Sequence, residues 1–464
     1  MSVHVVSSFA TREFGAEALR VGDLNGDGGP DLLLVQMECG TKDKMCLSRE
    51  IRCLTATTIY GEILWQHGRP SVNNGCVWCD LPVQIYDWDN DGANEVLYVR
   101  PSVYTELYPG DPKEYRGRAK RFEGTANMVV LDGRTGREKT SFPIPAPADN
   151  SITFADLTGR GRREDFVLKD TWENLYGVSR TGEFLWQSHG GPWPVAGHNM
   201  PHDPKVSIAD AKSHACHYPA VADVDGDGCD EVFQGFSLLD HDGRVLFRKE
   251  CGKEEHADAT YIVRLSDGAW RLLFGNNGVH CLAADGTELW RNPLVFHEAQ
   301  HIVAGRFRDD SQCQVAVIDR GAVRAAEGEP ACLYLFDVET GREIWRRPQL
   351  AGGWWAACMD IRWRGTGDLQ DILVYKRGGG AEKAVAAYDG RGNIVDEMDV
   401  PASLCSDQDN VTLYPGGHYC CRADLWGDSR DEVIAFGRNG VRIYANARPL
   451  AIPTLYNNTV YHGM

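Results

Sequence analysis

One short unit recurs along the whole chain. It consists of an apolar run, a turn of the form Asp-x-Asp/Asn-Gly-Asp-Gly, and a second apolar run that opens with Asp or Glu. Clear copies begin at Val21 (VGDLNGDGGPDLLLV), Ile85 and Val221, and degraded copies begin at Phe154, Tyr261, Ala304, Met359 and Arg422. A second hairpin signal follows each copy, often ending in Leu-Trp as in GEILW. Each unit therefore supplies four short strands, which is typical of a β-propeller blade.

The units predict an all-β fold: a single β-propeller domain over residues 1–464 with eight four-stranded blades. Seven blades is the alternative, in which the weak unit at Tyr261 merges with its neighbour. The last unit has only one hairpin strand after its repeat, VRIYAN from Val441. We expect the N-terminal segment VHVVSSF to provide its fourth strand, because closing the ring removes an exposed sheet edge.

Charge and cysteine content restrict the partners and the compartment. The 464 residues carry a net charge of −18, which argues against nucleic acid and anionic membranes as partners. The first residues lack a basic segment followed by an apolar one, and no stretch approaches the length of a membrane-spanning helix. Fifteen cysteines without a regular spacing suit a reducing compartment, so we expect a cytoplasmic protein. A secreted protein is the alternative if a leader was trimmed.

Three of the acidic turns carry oxygen ligands at positions one, three, five and nine. Such clustered carboxylates, with glycine permitting a tight loop, suit a hard cation, so we expect structural Ca²⁺. The alternative is a plain Asp/Gly turn that holds no metal. The predicted ligands are Asp23, Asn25, Asp27 and Asp31; Asp87, Asp89, Asp91 and Glu95; and Asp223, Asp225, Asp227 and Glu231.

The topology of a propeller separates these turns from a second set of loops. The acidic turns join the first and second strands of each blade, so they lie on one face. The loops that precede the innermost strands lie on the other face, over the central funnel, where functional residues are expected to converge. These loops contain most of the 14 histidines. The candidates for the site are His198, His202, His217, Tyr218, His256, Tyr261, His301 and His418.

Two further features of the same face carry weaker signals. The second blade has a basic and aromatic insertion that includes Arg116 and Arg118, which could clamp an anionic sugar or simply form a solvated lid. The pair Cys76 and Cys79 forms a C-x-x-C motif, with further cysteines in the adjacent loop. Without a matched second pair this motif is only a hint of Zn²⁺ binding.

The chain resembles the propeller polysaccharide lyases that cut rhamnose–uronate chains: the rhamnogalacturonan, ulvan and rhamnose–glucuronate lyases. The resemblance covers the propeller from Leu19 onward and rests on the blade starts, the segments HADATY and HEAQHIVAGRF, and the tail RPLAIPTLYNNTVYHGM. It implies β-elimination on an anionic oligo- or polysaccharide, in which a base removes the C5 proton of the uronate and an acid protonates the departing O4.

Residue roles follow from the resemblance and stay open at this point. Ulvan lyases use a pair of histidines about twenty positions apart followed by Tyr and Arg, and His198, His217 and Tyr261 have a similar arrangement. His217 or Tyr261 would be the base and His198 the acid, while the remaining candidates would hold the substrate. A non-catalytic carbohydrate-binding propeller is one alternative. A quinoprotein-like propeller is another, suggested by the repeated Leu-Trp motifs.

Overall fold

Eight four-stranded antiparallel sheets make up the computed structural model of the chain. Two 3-10 helices, Arg12–Phe14 and Ala402–Leu404, are its helical elements among the described residues. None of the described helices is long and apolar enough to cross a bilayer. The structure describes residues 2–38, 50–74, 80–101, 105–106, 122–123, 126–145, 148, 152–169, 174–189, 216–249, 257–275, 278–294, 299–310, 313–319, 332–348, 355–365, 367–377, 383–405 and 418–449.

The first half of the chain contributes β1 (Val3–Ala10) and then blades one to four. A short hairpin, β8 with β9, interrupts the second blade. The strands are β2 (Ala18–Gly22), β3 (Asp31–Met37), β4 (Ile51–Thr57), β5 (Ile63–Gly68), β6 (Val83–Tyr86), β7 (Glu95–Pro101), β8 (Thr105–Glu106), β9 (Phe122–Glu123), β10 (Ala126–Asp132), β11 (Glu138–Ile144), β12 (Thr153–Ala155), β13 (Asp165–Lys169), β14 (Asn174–Val178), β15 (Phe184–His189), β16 (Ala220–Ala222), β17 (Glu231–Phe233), β18 (Ser237–Leu239) and β19 (Val245–Arg248).

The second half forms blades five to eight, and the weak repeat at Tyr261 proves to be a complete blade. The strands are β20 (Ala259–Arg264), β21 (Trp270–Gly275), β22 (Val279–Leu282), β23 (Glu288–Asn292), β24 (Ala299–Gly305), β25 (Gln314–Asp319), β26 (Cys332–Asp337), β27 (Glu343–Pro348), β28 (Trp355–Ile361), β29 (Asp371–Arg377), β30 (Val385–Tyr388), β31 (Ile394–Met398), β32 (His418–Ala423), β33 (Glu432–Gly437) and β34 (Gly440–Asn446). The prediction of eight blades rather than seven is confirmed.

The ring closes as the sequence predicted. β1 pairs antiparallel with β34, from Val3 opposite Asn446 to Ala10 opposite Gly440. The eighth sheet therefore runs β1-β34-β33-β32, with its outermost strand taken from the start of the chain. This arrangement leaves no blade with a missing outer strand.

The hydrophobic core lies between the blades rather than at the centre. Among the described residues, the buried apolar side chains form eight clusters, and each cluster joins two consecutive blades around the ring. Leu33 and Val129 belong to the cluster between blades one and two, for example, and Phe436 and Leu34 to the cluster between blades eight and one. Burial of this apolar surface is the main stabilising contribution to a ring of sheets.

The tryptophans of the repeats dock blades one, three, five and six onto the blade that follows each of them. The indole N–H of Trp65 donates to the carbonyl of Gly133 at 2.6 Å, and Trp345 donates to Gly390 at 3.0 Å. In each case the ring packs against a glycine of the neighbouring turn, such as Gly136, where a side chain would collide with it and where φ is +65°. The Trp motifs that suggested a quinoprotein are thus accounted for by packing between blades.

Candidate functional site

The inner strands separate the two sets of candidate residues. β16 follows His217 and Tyr218 and leads directly into the acidic turn that begins at Asp223. Because a strand enters at one face of the propeller and leaves at the other, the histidine-bearing loops and the acidic turns lie on opposite faces. We refer to the first as the funnel face and to the second as the turn face.

A histidine–carboxylate pair lies on the funnel face between blades four and five. Nε2 of His217 lies 3.5 Å from Oδ1 of Asp258, and the two side chains are only 13% and 6% exposed. The backbone fixes both segments, because the His217 N–H donates to the Ala257 carbonyl at 3.1 Å and the Asp258 N–H donates to Gly275 at 2.9 Å. A carboxylate held beside an imidazole orients the ring and stabilises its protonated form.

A buried cation lies directly beside this pair. The ammonium of Lys169, at the end of β13, donates a 2.8 Å hydrogen bond to the carbonyl of Cys216, the residue before His217. Lys169 is only 2% exposed. A positive charge in such a poorly solvated position acts on its neighbours more strongly than a surface charge does.

A second polar group lines the inner wall where blades five, seven and eight converge. The hydroxyl of Tyr261 donates to the carbonyl of Ala304 at 3.2 Å. Arg422 and Gln370 both donate to Oδ2 of Asp360, each at 2.7 Å. Burial raises the pKa of Tyr261, and the Asp360 carboxylate raises it further. The phenol of Tyr261 is therefore protonated at neutral pH.

Of the remaining predicted residues, Tyr218 lies beside the pair, His301 and His418 lie on the inner strands of blades six and eight, and the others lie outside the described residues. The ring of Tyr218 lies 6.3 Å from that of His217, and His301 lies in β24, where its carbonyl faces the thiol of Cys358. His418 is fully buried at the start of β32, 6.4 Å from the ring of Tyr375. The predicted residues that fall outside the described chain are Arg116, Arg118, His198, His202, His256, and the pair Cys76 and Cys79.

The structure places four further residues with the candidates, to which sequence patterns gave no role: Asp258, Lys169, Arg422 and Asp360. Asp258 was visible in HADATY but nothing marked it as the partner of His217. Lys169 is a charged residue closing an apolar strand, FVLK, and such a position at the funnel end of a second strand is a usable signal. The pairing of Arg422 with Asp360 joins the inner strands of two consecutive blades, 62 positions apart, so the pattern within one repeat could not reveal it.

The acidic turns on the turn face share one hydrogen-bond pattern. The carboxylate at position nine accepts the backbone N–H of position two, as Asp31 does from Leu24 at 3.0 Å and Glu95 does from Trp88 at 2.9 Å. In blade six this acceptor is Gln314, whose carbonyl oxygen accepts from Phe307 at 2.9 Å. A neutral amide accepts this hydrogen bond as well as a carboxylate does, so the hydrogen bond alone does not indicate a metal ion.

The three predicted cation turns differ in the groups that their other side-chain oxygens contact. In blade one, the amide nitrogen of Asn25 donates to Asp27 Oδ2 at 3.0 Å. In blade two, Lys139 Nζ lies 2.7 Å from Asp89 Oδ2 and 2.8 Å from Glu95 Oε1. Burial lowers the pKa of Lys139, but its hydrogen bonds to the two carboxylates outweigh this and raise it above the ordinary value. The ammonium thus stands where a metal ion would bind.

Blade four has an equivalent set of carboxylates. Oxygens of Asp223, Asp225 and Glu231 lie within 4.8 Å of one another, as do those of Asp87, Asp89 and Glu95 in blade two, so these residues could hold a metal ion. Oε1 of Glu231 is buried and has no hydrogen-bond partner among the described residues. Burial raises the pKa of Glu231 to about 7. Hydrogen bonds from the backbone N–H groups of Val224 and Asp225 act in the opposite direction but are outweighed. A buried carboxylate oxygen without a partner is costly unless a cation or proton meets it.

Blade eight has a turn that cannot form the full ligand set, because Trp426 stands at position three. Its position-nine residue, Glu432, is nevertheless buried, and burial raises the pKa of Glu432 to about 7. The folded chain therefore holds this proton more tightly than the unfolded chain. The stability that Glu432 contributes is largest below its unfolded pKa near 4.5 and is lost as the pH rises through about 7.

Glu432→Gln is expected to flatten this pH dependence. The glutamine keeps an acceptor for the Leu425 N–H, as Gln314 does in blade six, but has no charge to bury. We expect the variant to match the wild type near pH 5 and to be more stable near pH 8 by on the order of 1–3 kcal/mol. Thermal unfolding at both pH values checks this, and an equal pH dependence in the two proteins would contradict it.

The chain was compared with known proteins. No family model matches it. It is 26% identical over 273 residues to the rhamnogalacturonan exolyase YesX of Bacillus subtilis (strain 168), and 25% identical over 275 residues to the rhamnogalacturonan endolyase YesW of the same organism. These matches cover 54% and 55% of this chain, and the chain spans only 42% of the length of each relative.

Solved structures extend the likeness in fold to nearly the whole chain. The exotype rhamnogalacturonan lyase YesX aligns with a TM-score of 0.61 and 21% identity, over 96% of this chain and 76% of the other. The rhamnogalacturonan lyase PL11 of Bacillus licheniformis aligns with a TM-score of 0.58 at the same identity and coverage. The chain is therefore similar to rhamnogalacturonan lyases in part of its sequence and in its propeller fold.

Proposed function

We propose that the chain is a polysaccharide lyase that cleaves rhamnose–uronate linkages by β-elimination. The observation that carries this proposal is the desolvated pair of His217 and Asp258 on the funnel face, 3.5 Å apart. Relatives named as rhamnogalacturonan lyases supply the substrate class. A module that only binds sugar needs aromatic and hydrogen-bonding surfaces, whereas a lyase also needs a group that can take a proton, such as a histidine held by a carboxylate.

His217 is the better of the two candidate bases. When its Nε2–H points at Asp258, the lone pair of the ring is on Nδ1, which would take the C5 proton of the uronate. The Asp258 carboxylate then stabilises the imidazolium that forms. Tyr261 suits the role of base poorly, because burial raises its pKa and its proton stays on the oxygen at neutral pH.

Two cations suit the charge that develops during the reaction. Loss of the C5 proton places negative charge on the uronate carboxylate, and preorganised positive groups lower the energy of that state. Lys169 lies beside the His217 segment, and Arg422 lies on the inner wall near Tyr261. His198 remains our proposed acid for the departing O4, and the other predicted residues, including Arg116 and His256, remain proposed substrate contacts.

The test is a screen of rhamnogalacturonan and of short rhamnose–uronate oligosaccharides, read by ultraviolet absorbance and mass spectrometry. β-Elimination produces an unsaturated uronate without uptake of water, so we expect new absorbance and product masses that sum to the substrate mass. Products heavier by one water would identify a hydrolase instead. Saturable binding without any product would favour the carbohydrate-binding alternative.

We also propose that Ca²⁺ binds the acidic turn of blade four, where it would complete the coordination of the buried Oε1 of Glu231. Asp223 and Asp225 would provide the other carboxylate ligands, an all-oxygen set of the kind that Ca²⁺ prefers. Its role would be to hold this turn, since the degraded turns of the other blades keep the same shape without a comparable carboxylate set.

Glu231→Gln is expected to remove the calcium-dependent part of the stability. The amide still accepts from Val224 but offers the ion no charge. At about 100 times the dissociation constant, a ligand that binds only the folded state stabilises it by about 2.7 kcal/mol. We expect this gain for the wild type in thermal melts with Ca²⁺ against chelator, and a much smaller one for the variant. Asp31→Asn, in blade one, serves as control and should keep the calcium response.

A further inference from the structure

A cluster of three different metal-ligating side chains lies at the seam between blades three and four, on the turn face. Asp227, Cys229 and His241 each offer one ligand atom, and these atoms all lie within 4.8 Å of one another. Asp227 and Cys229 belong to the acidic turn between β16 and β17, while His241 belongs to the turn between β18 and β19. The cluster lies on the opposite face from His217 and is separate from the proposed reaction.

His241 is held in the way a metal-ligating histidine is usually held. Its Nδ1 lies 3.1 Å from the carbonyl of Leu157 in blade three, and its own carbonyl accepts the indole N–H of Trp186 at 2.7 Å. A carbonyl can only accept, so Nδ1 carries the proton and the lone pair is on Nε2. That nitrogen lies 3.7 Å from Oδ2 of Asp227. A second-shell carbonyl that fixes the tautomer in this manner is a feature of metal sites.

The other two ligands are also fixed in place. Oδ1 of Asp227 accepts the backbone N–H of Cys229 at 2.8 Å, which directs Oδ2 toward His241. The sulfur of Cys229 packs at the seam, where it would lie 3.2 Å from a Cβ placed on Gly159. Nearby, the buried and unpartnered Oε1 of Glu231 adds negative charge that favours a cation over a neutral occupant. This charge favours a cation both at the proposed Ca²⁺ site and at the neighbouring cluster of Asp227, Cys229 and His241.

We propose that Asp227, Cys229 and His241 form a zinc site that joins the two turns of blade four at its seam with blade three. Thiolate and imidazole ligands favour Zn²⁺ over Ca²⁺ or Mg²⁺, which prefer oxygen. Zinc–nitrogen and zinc–oxygen bonds of about 2.0–2.2 Å place tetrahedral ligands about 3.5 Å apart, close to the 3.7 Å between Nε2 and Oδ2. Water or Asp240, whose Oδ1 is 4.0 Å from Nε2, provides the fourth ligand.

The first experiment uses Co²⁺ as a spectroscopic probe on the reduced, metal-free full chain. A cobalt–thiolate bond gives a charge-transfer band in the near ultraviolet, and Zn²⁺ should abolish that band by displacing Co²⁺. We expect Cys229→Ser to remove the part of the band that belongs to this site. His241→Asn retains a side-chain donor for the Leu157 carbonyl but has no Nε2, and we expect it to weaken Zn²⁺ binding by at least about tenfold.

Two matched controls separate this site from the other thiols and imidazoles. Cys313→Ser changes a half-buried cysteine next to the equivalent turn of blade six. His67→Gln changes a histidine whose Nδ1 also faces a backbone carbonyl, that of Gly136, but whose Nε2 meets the hydroxyl of Tyr98. Both variants should bind Co²⁺ and Zn²⁺ as the wild type does.

A second measurement avoids substitution altogether. Alkylation of each cysteine by iodoacetamide, followed by mass spectrometry, reports directly on the thiol of Cys229. Equimolar Zn²⁺ should slow alkylation of Cys229 at least about tenfold, while Ca²⁺ should not, and Cys313 should be unaffected by either ion. A charge-transfer band of equal strength in wild type and Cys229→Ser, or alkylation of Cys229 that Zn²⁺ does not slow, would overturn the proposal.

Discussion

His217→Ala is expected to lower kcat for cleavage of a rhamnose–uronate substrate by about 10²–10⁴-fold, because it removes the base that takes the C5 proton. Asp258→Asn should lower kcat less and leave KM nearly unchanged, because an amide can still orient the ring but cannot stabilise the imidazolium. Both effects are measured from the initial rate of ultraviolet absorbance increase, at several substrate concentrations, with circular dichroism to check folding.

The chain offers a matched control for this experiment. Nδ1 of His280 lies 3.0 Å from Oε2 of Glu288, so a second histidine–carboxylate pair exists in the outer strands of blade five. His280→Gln should leave kcat within about twofold of the wild type once the protein is folded. His217 is not the base if His217→Ala retains full activity, or if His217→Ala is as active as His280→Gln.

Lys139→Met is expected to make blade two dependent on calcium. Removal of the ammonium leaves Asp89, Asp91 and the nearly buried Glu95 facing one another without a cation. Breaking a buried ion pair from one side costs about 3–5 kcal/mol, and the 30% exposure of Lys139 reduces this to on the order of 1–3 kcal/mol. Ca²⁺ should restore most of that loss by taking the position of the ammonium.

Thermal unfolding in chelator and in Ca²⁺ measures both parts of this prediction. The calcium-dependent gain should be larger for Lys139→Met than for the wild type, and metal analysis should find one additional bound ion. Lys383→Met is the control, because Lys383 pairs with Glu397 at 2.7 Å on a surface that holds no other acidic ligand set among the described residues. It should cost less than about 1 kcal/mol and show no added calcium response. An unchanged calcium response in Lys139→Met would contradict the inference that the ammonium of Lys139 occupies the position of a metal ion.

The fold could be predicted almost completely from the sequence, because its signals are local. Each blade is indicated in the sequence by turn residues next to apolar runs. The last unit has no fourth strand after the one that begins at Val441, which predicted that the N-terminal segment supplies it. Even the weak repeat at Tyr261 forms a full sheet, β20 to β23. Its turn is shorter and keeps only Asp267 of the carboxylates, with Gly268 at φ +89°, and the strand pattern sufficed.

The sites were less predictable, because they depend on side chains from different parts of the chain. The three acidic turns look equivalent in sequence, yet Lys139 reaches that of blade two from β11. Among the described residues, the turns of blades two and four each keep a buried oxygen without a partner, on Asp89 and on Glu231. Loop position identified His217 and Tyr261 as candidates. Their environments, a carboxylate for one and burial for the other, were needed to distinguish a base from a neutral phenol.

The pairing of β1 with β34 has a consequence for how the chain folds during its synthesis. β1 is synthesised hundreds of residues before its partner β34, since Val3 pairs with Asn446. Until β34 is made, β1 keeps an unpaired edge, and such an edge is prone to aggregate. We therefore expect blade eight to close after the other seven, and a circular permutant that begins at β32 would place all four of its strands in one continuous stretch.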